Sequence, residues 1–212
     1  MRLGQGGFRA VVVGCLAVGA CGCTTKSLQP AYTRESQVVE QGVLGRWAND
    51  AGTVTLDVRR EDSRYTVGMT LRGDKPDGSD DKAVELEGVL FRAGGVLLCD
   101  ASLSDTAWEA TGLAKEFTVR THAVCRVELS DGTMTIRELK SASLEQELAN
   151  GAAGLDHLDV PGDGLVLSAG PESMLAFLAR HGADGSFFND ADAARKFKRA
   201  GGPTGTRPEA HP

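Results

Sequence analysis

The chain has 212 residues, of which 41% are hydrophobic and 25% charged, with a formal net charge of -6 and a pI near 5.3. That acidic balance lacks the broad basic footprint of a nucleic-acid binder and argues against DNA or RNA as a partner. The length fits one domain with tails. Its 27 glycines, many of them punctuating short apolar runs, lean it towards a β-dominated fold.

The first twenty residues have the layout of a secretory signal: Arg2 and Arg9, an apolar run from Ala10, and small residues at Gly19 and Ala20. A membrane-spanning helix needs roughly 20 apolar residues, and this run has about half of that. Val18, Gly19, Ala20 and Cys21 together resemble the lipobox of bacterial lipoproteins, in which signal peptidase II cuts before a cysteine already carrying diacylglycerol. The resemblance implies that residues 1–20 are removed and that Cys21 is lipidated. A second match at Val12 to Cys15 leaves only about four apolar residues before the cut, too few for a signal core. About two acyl chains suffice for stable anchoring, so the implied partner of this end is a membrane. Gly22 after the cysteine, rather than aspartate, resembles outer-membrane sorting. It implies a place in the cell envelope, facing the periplasm where the source has two membranes. Residues 21–37, polar and containing Pro30, are expected to form a flexible tether.

Residues 38–190 carry the pattern of a packed domain. Val43 to Trp47 is its first element. Val54, Leu56 and Val58 alternate with polar residues, and Tyr65, Val67, Met69 and Leu71 repeat the alternation, predicting two strands joined by a turn at Glu61 to Ser63. Asp74, Asp77, Asp80 and Asp81 lie in a Gly- and Pro-containing loop but miss the ligand spacing of a calcium loop, so the loop reads as solvated. A strand from Val84 to Phe91 then turns at Gly94 and Gly95 into Val96 to Cys99. That run is apolar on both faces and calls for a cover outside the sheet.

Residues 103–116 form a mostly polar connection, with Trp108 its largest apolar group. The longest strand pattern runs from Phe117 to Leu129, with His122 on its polar face, and Asp131-Gly132 is a strong hairpin turn into Met134 and Ile136. Ser143 and Gln146 have capping-box spacing, predicting a short helix over Leu144 to Asn150 that ends at Gly151. After a turn at Pro161 to Gly164, Leu165 to Ser168 reads as a strand. Gly170 and Pro171 then open an amphipathic helix whose stripe is Met174, Leu175, Phe177 and Leu178, closed by Gly182. That helix is the expected cover for the Val96 strand. Residues 191–212, polar with Arg195, Lys196, Lys198 and Arg199, are expected to be a disordered tail.

Gly45, Arg46 and Trp47 at the head of an antiparallel meander resemble the Gly-x-Trp of lipocalin-type barrels, where the tryptophan plugs one end. The Thr-Asp-Tyr turn and the late arginine that accompany it in lipocalins have no visible counterpart in the sequence. With Gly94 to Asp100 and the strand, cap and helix from Leu165 to His181, the chain over residues 42–190 resembles bacterial envelope lipoproteins of lipocalin-like type with no characterised function. The resemblance implies a mainly β fold, an antiparallel meander closing into a barrel with a short helix and a C-terminal amphipathic helix. It implies no chemistry.

The four histidines, His122, His157, His181 and His211, are scattered, and none has a metal-ligand neighbour at suitable spacing. His122 is expected at a solvent-facing or rim position, and His181 at a helix C-terminus that favours its charged form. No nucleophile elbow, phosphate loop or dinucleotide fingerprint occurs. The sequence therefore predicts no catalytic residue, no metal, no cofactor and no enzyme. Two functions remain: an interaction or structural module on the envelope, slightly favoured because aromatic residues are only 5% of the chain, and a barrel holding a small apolar or amphipathic ligand. Of the five cysteines, Cys15 leaves with the signal and Cys21 is assigned to lipid, so Cys23, Cys99 and Cys125 remain. Symmetric closure of the connection would place Cys99 opposite about Arg120. Cys125 would then lie roughly 16 Å further along the strand, beyond the ~7 Å limit between bridged α-carbons. Cys99 and Cys125 are thus expected to be separate buried thiols.

Overall fold

The computed structural model describes residues 25–75, 77–112, 118–151, 154–160, 164–190 and 192–201. The signal segment, Cys15, Cys21, Cys23, Phe117, His211 and residues 202–212 lie outside them. In chain order the strands are β1 Lys26–Ser27, β2 Gly45–Ala48, β3 Val54–Glu61, β4 Arg64–Leu71, β5 Lys82–Ala93, β6 Val96–Leu103, β7 His122–Ser130, β8 Thr133–Glu138, β9 His157–Val160, β10 Gly164–Leu167 and β11 Arg195–Arg199. Three α-helices accompany them: α1 Asp105–Glu109, α2 Ser141–Ala149 and α3 Pro171–His181.

Strands β2 to β8, with β11 inserted between β8 and β2, close into an eight-stranded antiparallel barrel; β6 pairs with β7 to complete the ring. The strands are staggered. A perpendicular drawn from Ala48 through Thr55 and Thr70 meets β5 near its start, at Ala83, whereas Lys198, Thr133 and Ser130 carry the line the other way to the end of β7. Such tilt is what a closed barrel demands, and the arrangement is consistent with the lipocalin-like fold that the Gly-x-Trp resemblance implies. Past Glu138, β8 leaves the edge of β7. β1 takes its place there and leads on to β10 and β9.

Local chemistry explains the hairpins. Asp131 and Gly132 both take positive φ, 46° and 76°, as a two-residue type I′ turn requires. Gly94 has a second reason to be glycine besides its φ of 57°: a Cβ there would stand 2.4 Å from the carbonyl oxygen of Ala179 in α3. The β5–β6 turn is thereby pressed directly against the helix.

Alternation in the barrel strands sorts apolar residues into two clusters. The interior holds Trp47, Leu56, Val58, Tyr65, Met69, Leu90, Val127, Met134 and Phe197. On the outer face of β5, β6 and β7, Phe91, Leu98 and Val124 are covered by Met174, Phe177 and Leu178 of α3, together with Leu144, Leu165, Leu167 and Phe187. The Val96 strand is therefore buried on both sides, with α3 as its cover. α3 starts at Pro171 behind Gly170 and ends at Gly182, as the capping residues predict.

Several expectations are corrected. Residues 191–212 are not wholly a tail, because Arg195–Arg199 is a barrel strand. Only Phe197 in it is buried, so its two basic pairs make it look like solvated chain. Within the expected tether of residues 21–37, Thr25, Ser27 and Ala31 are buried against the barrel. α2 begins at Ser141 rather than at Leu144, since Ser143 uses its hydroxyl to bond the Ser186 carbonyl, 2.9 Å away, instead of capping. The strand expected from Phe117 begins at His122, and Val119 is 69% exposed. That five-residue difference shifts the register: Cys99 lies directly opposite Cys125, not opposite Arg120. The connection is asymmetric because Ser104 caps α1 immediately after β6, while Arg120 bonds back to Leu103 and Ser102 at the end of that strand.

Candidate functional site

One end of the barrel is sealed by a set of contacts around Trp47. The indole Nε1–H donates to the Val43 carbonyl at 2.8 Å, in the 3-10 turn Gln41–Val43. Arg199, from β11, lays its guanidinium 4.5 Å from the Trp47 ring centroid and donates to the Leu44 and Gly42 carbonyls at 2.7 and 2.9 Å. This is the stacking arginine that the sequence did not reveal. Gly45 must be glycine here on two counts: its φ is 110°, and a Cβ would come within 2.9 Å of Arg199 Nη1. Tyr65 completes the seal by accepting the Glu40 N–H at 2.8 Å.

The opposite end is where β3, β5, β7 and β11 begin and β4, β6 and β8 finish. Inward-facing residues are identified by pairing with one another: Val54 with Leu71, Val67 with Leu86, Leu86 with Leu103, and Ala101 with both Gly88 and Ala123. Most of these side chains are only half-buried, whereas Trp47, Tyr65, Leu90, Met134 and Phe197 near the sealed end are buried almost completely. The interior is thus packed most completely around Trp47 and ends opposite it in a rim of half-buried aliphatic residues. Its wall there is aliphatic and, at Gly88, Ala101 and Ala123, small.

Four polar side chains face this half of the interior. Cys99 and Cys125 are cross-strand partners and Glu138 lies opposite Cys125 on the next strand. Arg195, paired with Ile136, reaches Glu138 at 3.0 Å. Burial pushes the Cys99 thiol up to about 12, with the Asp100 carboxylate adding to it. Cys125 is raised well above its ordinary value, by burial first and then by Cys99 and Glu138, with Arg195 opposing. Burial thus disfavours the thiolate at both positions.

A second polar arrangement lies outside the barrel, under the N-terminal segment. Asp100, 3% exposed, places Oδ1 2.6 Å from His122 Nδ1 and accepts the Ala31 N–H with Oδ2 at 2.8 Å. Of the two positions expected for His122, solvent-facing or rim, it takes the second: it is the first residue of β7 and half-buried. Nearby Tyr32 has its hydroxyl pKa raised, chiefly by burial and then by Asp100. The dyad ties β6, β7 and the chain entering from residue 25 together.

The other sequence candidates stay apart. His157 is on exposed β9, and His181 packs between Phe177 and Phe187, with ring centroids at 4.7 and 4.8 Å. In the acidic loop, Asp80 and Asp81 accept the N–H groups of Gly73, Asp74 and Lys75. Among the described residues, no group of three or more His, Cys, Asp or Glu is placed to hold a metal ion. An open groove of about 360 Å3, bounded by Arg126, Glu128, Arg137 and Asn189, lies on the outside of the barrel. No family model, curated protein or solved structure matches this chain.

Proposed function

We propose that the protein is a lipid-anchored envelope lipoprotein of lipocalin-like type whose barrel takes up a small apolar or amphipathic ligand through the end opposite Trp47. The observation that carries this reading is the rim of interior-facing, half-buried aliphatic side chains at the end opposite Trp47, formed by Val54, Leu71, Val84, Leu86 and Leu103. Ligand sites are typically apolar walls with a few fixed polar groups, and here the Glu138–Arg195 pair supplies them. In this reading the domain binds and does not catalyse.

Titration of the purified protein with a fluorescent long-chain fatty acid tests the binding. Saturable micromolar binding is expected, weakened at least tenfold by Ala101→Phe, which fills the half-buried region. Absence of saturable binding by a protein that still unfolds cooperatively would sink the reading. A second reading, an interaction module, is favoured by β9, which lies at the edge of the sheet with Leu158 51% exposed; such an edge offers a template for another strand.

The anchor is tested separately, by labelling cells with a radioactive fatty acid. Label is expected on the intact protein and absent from Cys21→Ala. A variant that still takes up label removes Cys21 as the anchor.

A further inference from the structure

We infer that Cys99 and Cys125 form a cross-strand disulfide that stitches β6 to β7 inside the barrel. Both are free thiols in the structure. They are direct antiparallel partners, so their side chains point to the same face, and that face is the interior. Directly opposed residues of antiparallel strands have α-carbons about 4.5 to 5.5 Å apart, inside the roughly 4.4 to 6.8 Å range of bridged cysteines. The register therefore sets the two α-carbons at a spacing that a bridge accepts.

The position gives the bond something to do. The β6–β7 ladder pairs residues only from Leu98 to Ala101, against Val96 to Leu103 in the adjoining β5–β6 ladder. The chain between these two strands is a long connection containing α1, not a tight turn. This seam is thus shorter than its neighbour and closed across a large loop, the situation in which a covalent link constrains the unfolded chain most.

Formation removes one proton and one electron from each thiol. A disulfide oxidant of the thiol-exchange class accepts both electrons and both protons and leaves as two thiols. Because exchange proceeds through a thiolate and burial disfavours that form at both positions, exchange is easiest while the chain is folding. The supply of oxidant rests on the envelope placement proposed above, since such compartments maintain disulfides and the cytosol does not.

The test separates the bond from the address. The full-length protein is unfolded and refolded in glutathione buffers of graded reduced-to-oxidised ratio, then alkylated under denaturing conditions and digested with trypsin. Cleavage after Arg92, Lys115, Arg120 and Arg126 leaves the two cysteines on separate peptides. A linked pair, lighter by two hydrogens than the sum of the two, is expected at oxidising ratios, and reduction should lower the folded-to-unfolded ratio by roughly 30- to 1000-fold. Recovery of both peptides singly alkylated at every ratio, from protein that has regained its native circular dichroism, overturns the inference wherever the protein resides. The same digest on protein alkylated at cell lysis reports the address. A linked pair supports an oxidising compartment. Free thiols in the cell beside ready linkage in vitro leave the bond standing and count against the envelope.

Discussion

Arg199 shows how much a single side chain can do at the sealed end, and why a sequence conceals it. Its guanidinium makes a cation–π contact with Trp47 and satisfies two carbonyls, Gly42 within the 3-10 turn and Leu44 just after it. In a stretch reading Arg-Lys-Phe-Lys-Arg, nothing distinguishes the residue that stacks from those that are solvated. Arg199→Ala removes the stacking, worth about 0.5 to 1 kcal/mol at an exposed position, and two charge-assisted bonds that solvent weakens; a total loss of about 1 to 2 kcal/mol is expected. Arg199→Lys should recover less than half of it, because an ammonium has neither the planar face nor the fork. Urea titration decides the point, with the midpoint falling and the slope unchanged. A midpoint within about 0.3 kcal/mol of wild type for Arg199→Ala would mean that the stack is a solvated surface contact. The Asp100–His122 contact was equally invisible in the sequence: 22 residues separate the partners, and only the β6–β7 register brings them to 2.6 Å.

At the scale of elements, legibility followed locality. The hairpins at Asp62, Gly94–Gly95 and Asp131–Gly132 lie where turn chemistry and alternating apolar residues put them, because both signals sit within a few residues of the structure they specify. α3 was readable for the same reason, with a proline at its first position and an apolar stripe at helical spacing. Alternation does not mark the start of β7, because Val119 extends the period of Ala123 and Cys125 although it is exposed; a period-two pattern carries no signal for where pairing begins. α3 also lends itself to a test of packing. Phe177 is fully buried, meets Phe187 edge-on at 5.3 Å and lies over the outer face of β5 and β6. Phe177→Ala is expected to cost about 3 to 5 kcal/mol in a denaturant titration. A loss below about 1 kcal/mol would show that the helix is peripheral and the outer cluster soft.

At the scale of the molecule, closure depends on the strand whose composition least resembles one. β11 pairs along Arg195 to Lys198 with β8 and at Lys198 and Arg199 with β2, so it bridges two strands from opposite ends of the meander. Its partners are distant in sequence, which is why neither hairpin chemistry nor alternation announces it; a single inward Phe197 between charged neighbours is its whole apolar signal. Without β11 the ring opens between β2 and β8, leaving two unpaired edges and an interior exposed to water, the condition that favours strand-to-strand aggregation. A chain ending at Ala194 is therefore expected to lose its cooperative urea transition and to elute as aggregates in size-exclusion chromatography. A chain ending at Gly201 keeps every β11 ladder pair, as well as the bond from the Ala200 N–H to the Arg46 carbonyl at 2.9 Å, and should match the full-length protein in both measurements. If the Ala194 chain stays monomeric with an unchanged midpoint, the barrel does not need its eighth strand, and the Trp47 seal, which includes Arg199 from that strand, cannot be what holds the closed end together.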